Sequence, residues 1–403
     1  ADAAATDGEA VTLKWAIWDQ ETTPYWNALK EAYEAANPNV TIEMVDLGST
    51  DYMTVLATEL SGSGSDFDVV TIKDVPGYAT LVQKNTLESL DDYITDAGIN
   101  LADFNGITDQ VTVDGSLYEL PFRSDYWLIY YNKDVFDAAG IAYPSNDMTM
   151  EDYDALARQL TDTTYGSQVY GCHYHTWRSA VELFGILDGK HSILDGNYDW
   201  MIPYYDMILS EEDDGVCQTY TDLSTEGLHY SAAFSNGNVA MMNMGSWFIS
   251  TLISNLDSGE YDSNWGIASY PHPDGAEAGS TIATITGLAV TSASANKDAA
   301  FDFVNWVSGT EGAKVMASTG NFPAIMTDDV INTIAGMAGF PTDEGSKEAL
   351  NITNAYLEVP YAENVSEINS ILDTYHTSIM NREVTVEEGV ASMNEQVGKI
   401  LNQ

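Results

Sequence analysis

Basic side chains are what this sequence has least of: 14 lysines and arginines face 62 aspartates and glutamates, a formal net charge of −48 over 403 residues. A field of that sign repels nucleic acid and anionic lipid surfaces, which excludes both as partners. It disfavours anionic ligands and leaves a neutral one without penalty. A solvated acidic surface is the plain account of it, and a halophilic source would produce the same composition. Cysteine is nearly absent. Cys172 and Cys217 are too few for a disulfide scaffold. Pairing would close a loop of roughly 45 residues worth about 3–4 kcal/mol in the chain-entropy picture, and two free thiols are the alternative.

No run approaches the ~18 consecutive apolar residues that span a bilayer, and no basic segment precedes an apolar stretch. Residues 1–10, small and acidic, read as a flexible leader or as the tether left when a signal peptide is removed. Nucleophile signatures are missing too: there is no Gly-x-Ser-x-Gly elbow, no His-Glu-x-x-His and no P-loop. No internal repeat of about 20–50 residues and no long Pro- or Gly-rich linker interrupts the chain.

What is present suffices for real cores. Hydrophobic residues make up 44% and aromatics 11%, and a chain of this length exceeds what one core usually supports, so two domains are expected. Val11–Trp18 alternates and is rich in β-formers, predicting a first strand that ends in a polar turn at Asp19–Pro24. Trp26, Leu29, Tyr33 and Ala36 share a helical face that Asn37-Pro38 terminates. A strand over Val40–Leu47, a helix from about Asp51 to Leu60, a loop at Ser61–Ser65 and a strand over Phe67–Ile72 follow. That order predicts a parallel α/β sheet with right-handed crossovers. Ligands of such sheets sit beyond the carboxyl ends of the strands, where the loops Trp18–Pro24, Gly48–Tyr52 and Lys73–Tyr78 should converge. A second α/β unit begins with Gly115–Pro121, read as extended, and a strand over Tyr126–Asn132. Thr149 caps the next helix, with Asp152 in the capping-box position. Thr281–Thr291 reads as a late strand and Asp298–Trp306 as a helix, with a last helical region after it.

Three ordered groups of motifs carry a family resemblance. The first is Val113–Pro121 followed by Tyr130–Phe136 and Ala139-Gly140-Ile141. The second is Phe234–Met241 continuing to Gly245-Ser246-Trp247. The third is Thr286–Thr291 followed by Asn296–Val304. In this order the chain resembles extracellular solute-binding proteins of the maltodextrin-binding type, from Val11 to about Leu401. The resemblance implies an α/β, two-lobed, periplasmic-binding-protein-like fold. Each lobe is a mainly parallel sheet flanked by helices, joined by a hinge of three crossings near Arg123–Asp125, Thr281–Thr284 and Phe322–Ala324. It places the N-terminal lobe at 11–122 plus 284–322 and the C-terminal lobe at 123–283 plus 323–403. It implies a monomer without cofactor that holds an oligosaccharide in the cleft and delivers it to the transmembrane subunits of an ABC importer. The expected station is extracytoplasmic, either periplasmic or on the surface of a Gram-positive bacterium as a lipoprotein, touching membrane only through a lipid anchor.

A sugar offers C–H faces that stack on aromatic rings and hydroxyls that seek planar polar partners. Nine Trp and 24 Tyr make rings plentiful, so position must discriminate. Trp247, after the Gly-Ser turn, matches the ring that stacks on sugar in the maltodextrin-binding relative. Asp74 follows the third strand where that relative places a sugar-binding aspartate, although a helix-capping aspartate reads equally from the sequence. Trp18, Asp19 and Gln20 lie on the ligand-facing loop of the first strand. Arg123 and Asp125, at the first crossing, bind ligand or bridge each other. Tyr174 and Trp177 belong to the cluster Cys172–Arg178, which corresponds to a ligand-contacting stretch of the second lobe. Thr286 stands where the family often has the first glycine of a Gly-Gly pair. Asn321 and Phe322 lie near the third crossing.

Cys172, His173 and His175 invite a metal, yet residues two apart supply only two imidazoles and no further ligand stands at recognisable spacing. No metal and no catalytic residue is expected. The alternatives to a sugar binder are a binder of another small solute such as a polyamine, which needs several carboxylates between aromatics, and a carbohydrate-active enzyme with a hidden carboxylate pair.

Overall fold

Val11–Ile17 forms β1, its alternate residues Leu13, Trp15 and Ile17 fully buried. The computed structural model describes residues 10–21, 23–62, 66–162, 164 and 168–401. Ala10 apart, the expected leader lies outside the described residues, and so do the last three residues of the loop expected at Ser61–Ser65. Pro24 opens the next helix, Pro24–Ala36, where its missing N–H is not needed. That helix buries Trp26, Leu29 and Tyr33 along one face. β2 (Val40–Asp46) pairs with β1 in parallel, from Val11 opposite Val40 to Ile17 opposite Asp46. The helix Tyr52–Ser61 leads to β3 (Val69–Ile72), which pairs with the other side of β1, also in parallel.

β4 runs from Leu120 to Asn132, six residues earlier than its expected start. Gly115–Glu119, expected as extended, is instead a turn and an irregular stretch. Val113 and Ser116 bridge each other around Asp114 and Gly115, both at positive φ (51° and 84°). A glycine suits the second of these because it carries no Cβ penalty.

Contacts divide the chain into two units: the chain up to Asp125 with Thr284–Ile334 and Val359–Glu363, and Tyr126–Ala283 with Ala335–Glu358 and Asn364–Gln403. The chain thus passes between units at 125/126, 283/284 and 334/335, and the return Val359–Glu363 adds two passages that the three-crossing reading does not include. One backbone and one side-chain hydrogen bond hold that return to the first unit, with Tyr361 N–H donating to the Gln110 carbonyl at 3.0 Å and Gln83 Nε2 to the Glu363 carbonyl at 2.8 Å.

In the first unit β8 (Ser280–Val290) contributes its later residues, antiparallel to β3 from Ile72–Gly287 to Val69–Val290. In the second unit β5 (Tyr170–His173) lies parallel to β6 (Val239–Gly245), while β4 runs antiparallel to both β6 and β7 (Trp265–Ser269). Parallel pairing returns where the start of β8 meets β9 (Asn354–Leu357). The second sheet is mixed because β4 enters it in the direction opposite to β6 and β7. Helix Met150–Leu160 starts at the expected capping box: Asp152 N–H donates to Thr149 Oγ1, and Thr149 N–H to Asp152 Oδ2, each at 3.1 Å. The helices Val365–Met380 and Val386–Leu401 end the chain. Among the described residues no helix is long and apolar enough to cross a membrane.

Candidate functional site

The first unit gathers three loops at the carboxyl ends of its parallel strands. Lys73, just after β3, donates to the Ser49 carbonyl at 2.8 Å and holds its ammonium 5.2 Å from the centre of the Trp18 ring. Trp18 itself packs edge-on against Trp26 and Tyr52 and is only 8% exposed. Its carbonyl accepts from Trp26 Nε1 at 2.8 Å, so the residue anchors the turn more than it presents a face. Asp19 adopts a positive φ of 46°, and Asp46 holds the turn by accepting from the N–H groups of Asp19 (3.1 Å) and Gln20 (2.8 Å). Burial works against the Asp46 charge, but these donors and Gly48 N–H outweigh it and keep its carboxyl below the usual range. Gln20 spends its amide on Asn27 at 3.2 Å.

Asp74 is exposed and caps the helix Val75–Gln83, Oδ1 accepting from Gly77 N–H at 2.7 Å. Close by stands a group the sequence reasoning passed over. Glu119, inside the quoted Tyr118-Glu119-Leu120-Pro121 run, is wholly buried, and neither carboxylate oxygen has a hydrogen-bond partner. Burial first and the Asp74 charge second push its carboxyl up to about 8. A Cβ at Gly287 would stand 2.1 Å from Glu119 Oε2, so the second position of the Thr286-Gly287 pair must be bare. Thr286 is buried in β8.

Arg123 and Asp125 do bridge each other, at 2.7 Å and with little exposure. Two residues apart in an extended strand, they share one face. Burial disfavours the Arg123 charge, but Asp125 more than compensates and its pKa rises. Phe322 is buried and its carbonyl accepts from Ser124 N–H at 3.3 Å. Asn321 turns its amide back onto Thr319, 3.2 Å from the carbonyl and 3.1 Å from the hydroxyl.

The second unit holds a cluster of indoles. β6 ends at Gly245, Ser246 ties it to β4 by donating its N–H to the Tyr126 carbonyl at 2.8 Å, and Trp247 opens the helix Trp247–Ser258. Trp247 meets Trp127 of β4 edge to face at 5.5 Å and Trp177 at 6.2 Å, while Trp127 and Trp177 stand 6.3 Å apart. Trp127 is the buried floor, Trp247 is half-buried, and Trp177 is 39% exposed. His175 (4.6 Å) and Tyr230 (5.7 Å) pack edge-on against Trp177. Burial, with the nearby His229 second, lowers His175 to about 4, so its ring is neutral at ordinary pH.

Trp127 was not legible as a partner of Trp247, nor Tyr230 as a partner of Trp177, and neither was Glu358. Glu358 follows β9, accepts from Ser179 Oγ, and donates its backbone N–H to Ala283 at 3.1 Å. Burial first and Glu182 second push its carboxyl up to about 7, while Ser179, Arg178 and the Trp127 indole pull the other way. Tyr174 does not join this group. It is buried against Tyr153 and Phe184, its ring turned into the interior. Arg178 is also structural, bound to Glu182 at 2.5 Å and to Asp373 and Asn369. The histidines do not form a metal pair: His173 Nδ1 lies 3.0 Å from Gln218 Oε1, and His173 and His175 are 6.5 Å apart between ring centres. A separate surface pocket of about 580 Å³ runs along Asp206, Asp213, Arg382 and Glu387, but no aromatic side chain lines it. It offers a sugar's C–H face nothing to stack on.

Edge-packed indoles beside Glu358, whose carboxyl burial raises to about 7, suit a neutral polyhydroxylated ligand. Residues 19–314 match the family described as bacterial extracellular solute-binding protein. A sugar transporter of Rhizobium etli, solved in an open conformation, is 48% identical with a TM-score of 0.93, covering 96% of this chain and 99% of that one. The lactose-binding protein of Rhizobium radiobacter is 27% identical over 326 residues, 75% of this chain and 71% of its own length. A protein of Brucella abortus named as a binding protein is 27% identical over 257 residues, and the chain spans only 59% of its length. An ABC substrate-binding protein of Listeria monocytogenes in complex with cycloalternan, 21% identical, shares the fold with a TM-score of 0.78 over 98% of this chain and 100% of that one. These likenesses place the chain among solute binders rather than enzymes. With 296 of its residues inside the family match, this chain belongs to the bacterial extracellular solute-binding proteins.

Proposed function

We propose that this protein captures an oligosaccharide outside the cytoplasm and delivers it to the membrane subunits of an ABC importer. The observation that carries the reading is the Trp127–Trp177–Trp247 cluster, one indole floor and two accessible rings within 6.3 Å of one another. Rings so placed stack on the C–H faces of successive pyranoses. Glu358, held near neutrality, serves a sugar hydroxyl as donor or acceptor. The names of the Rhizobium etli sugar transporter, the lactose-binding protein and the cycloalternan-bound ABC protein support the same ligand class and partner. The station is extracytoplasmic, whether periplasmic or held at the surface by a lipid anchor.

A polyamine fits less well. A cation needs fully ionised carboxylates beside the rings, and burial has pushed Glu358 up to about 7. The deciding experiment is a thermal-shift panel of di- to pentasaccharides, polyamines and amino acids. A ligand at ~100 times its dissociation constant adds about 2.7 kcal/mol of stability. A shift with spermidine and none with any oligosaccharide would overturn the sugar reading.

A further inference from the structure

Away from the indoles, the interior of the second unit holds two thiols and a carboxyl that no role above absorbs. Cys172 lies on β5, two residues ahead of Tyr174, and its N–H donates to the Val216 carbonyl at 3.3 Å. Cys217 is the residue after Val216, in the bend that follows the helix Ile202–Asp213 through Gly215 at a φ of 71°. Hydrogen-bonded chains run about 5 Å apart, and disulfides join Cα atoms roughly 4.4–6.8 Å apart. The sulfurs of Cys172 and Cys217 and a carboxylate oxygen of Glu211 all lie within 4.8 Å of one another, and all three residues are buried. The two sulfurs are not bonded to each other, and each thiol neighbours the other closely enough for hydrogen bonding. Glu211 is buried beside the Tyr174 hydroxyl, which steadies its charge, and the Asp154 carboxyl, which opposes it.

We propose that Cys172 and Cys217 close into a disulfide in the exported protein, tying the base of the Tyr174–Trp177 segment to the chain that follows the helix Ile202–Asp213. The proposal rests on the extracytoplasmic reading in one respect: such compartments are oxidising. The oxidant is a disulfide of low molecular weight or of an oxidoreductase. One cysteine gives its proton to the Glu211 carboxylate, which burial raises to about 8, and its thiolate attacks a sulfur of the external disulfide. Glu211 passes that proton to the departing sulfur, which leaves as a thiol, and then accepts the proton of the second cysteine. That second thiolate attacks the mixed disulfide, forms the Cys172–Cys217 bond and expels the second sulfur, which takes the proton back from Glu211 and leaves as a thiol. Two protein S–H groups are oxidised and one external disulfide is reduced to two thiols. A bound cation is the weaker account of the same cluster. Three ligands must shed three protons around one divalent ion, and among the described residues no fourth His, Cys, Asp or Glu joins the cluster to complete a tetrahedron. The bond would hold His175 and Trp177 in register with Trp127, because only Tyr174 and Thr176 separate them from the anchored strand.

Thiol counting decides the matter without any sugar. Full-length protein prepared without reductant is denatured in an alkylating reagent and weighed intact, and its metal content is measured on the same sample. The expected result is no alkylated cysteine, a mass two hydrogens below the reduced form, two alkylated cysteines after reduction, and no bound zinc. Reduction should lower the Tm by about 5–10 °C for a loop of this size, with no such response in a C172S/C217S variant. Glu211→Gln should slow re-formation of the bond from reduced protein by about tenfold and flatten its pH dependence. An unchanged rate would remove Glu211 from the step. Two alkylated thiols in protein refolded with oxidised glutathione would overturn the disulfide, and so would one equivalent of zinc held by two intact thiols. Should the double variant fail to fold, the count on the natural protein still decides. A chain with free thiols that responds to oligosaccharide loses this inference and keeps its function, and the converse pattern separates them the other way.

Discussion

A Cβ on residue 245 would stand 2.0 Å from the ring of Trp247, so it is the bareness of Gly245 that lets this indole fold back across the end of β6. The glycine is therefore a positioning residue for Trp247, the ring proposed to face the sugar. Gly245→Ala is expected to displace Trp247, shift the intrinsic fluorescence maximum and weaken oligosaccharide binding by about tenfold, roughly 1.4 kcal/mol. Titration calorimetry on the variant checks it, and an unchanged affinity would show that Trp247 does not contact ligand.

Trp18 and Trp247 should fail in different ways when truncated. Trp18, 8% exposed and wedged between Trp26 and Tyr52, is expected to cost about 3–5 kcal/mol of stability as Trp18→Ala. Trp247→Ala and Trp177→Ala should leave unfolding little changed and weaken sugar binding at least about tenfold. Denaturant melts and binding curves on the three variants separate the roles.

The Arg178–Glu182 pair, almost wholly inaccessible to solvent, is structural. Arg178→Met leaves the Glu182 carboxylate buried without its partner and should cost about 3–5 kcal/mol. Replacing both, as R178M/E182L, should recover much of that loss. A double-mutant cycle by urea unfolding measures the coupling, and additive losses would refute it.

Glu119 makes stability depend on pH with a definite sign. The folded protein holds its proton up to about 8, whereas an ordinary glutamate releases it near 4.5. A raised carboxyl pKa stabilises fully below about 4.5 and loses that contribution as pH rises through 8. Glu119→Gln stays neutral throughout, so its Tm should gain on the natural protein between pH 5 and pH 8. A constant difference across that range would mean that Glu119 is already charged.

His376 acts in the opposite direction. Burial first and the Arg178 charge second lower it from 6.5 to about 3, and Tyr205 Oη lies 3.0 Å from its Nδ1. The unfolded chain takes up a proton below about 6.5 that the folded one refuses, so this contribution is present above 6.5 and lost as pH falls toward 3. Thermal melts of His376→Asn and the natural protein should converge as pH drops from 7 to 4.

Local signals carried much of the fold. The alternation of β1, the capping box at Thr149 and Asp152, and the breaker at Asn37-Pro38 act over a few residues, and each corresponds to an observed element. β4 was read too short because Arg123 and Asp125 look like loop chemistry until their mutual ion pair neutralises them. The destinations of aromatic rings were harder to see. Tyr174 and Trp177 are three residues apart, yet one turns inward against Tyr153 and Phe184 while the other meets solvent. Which way a ring turns depends on partners distant in sequence. Trp127 and Glu358 escaped for the same reason, since the contacts that bring them beside Trp177 and Ser179 span 50 or more residues. Glu119 escaped because nothing local marks a carboxyl as buried and unmatched.

The late arrival of β8 has a consequence for how the protein is made. β3 receives its antiparallel neighbour only from residues 287–290, after more than half of the chain has been synthesised. Until then the first 125 residues expose an unpaired strand edge, a template for misassociation between nascent chains. The first unit's last paired strand is synthesised only after all of Tyr126–Ala283, so its sheet cannot be completed before then. Its early segments depend on being kept apart, by chaperones or by the mutual repulsion of their own acidic side chains, until the sheet can close.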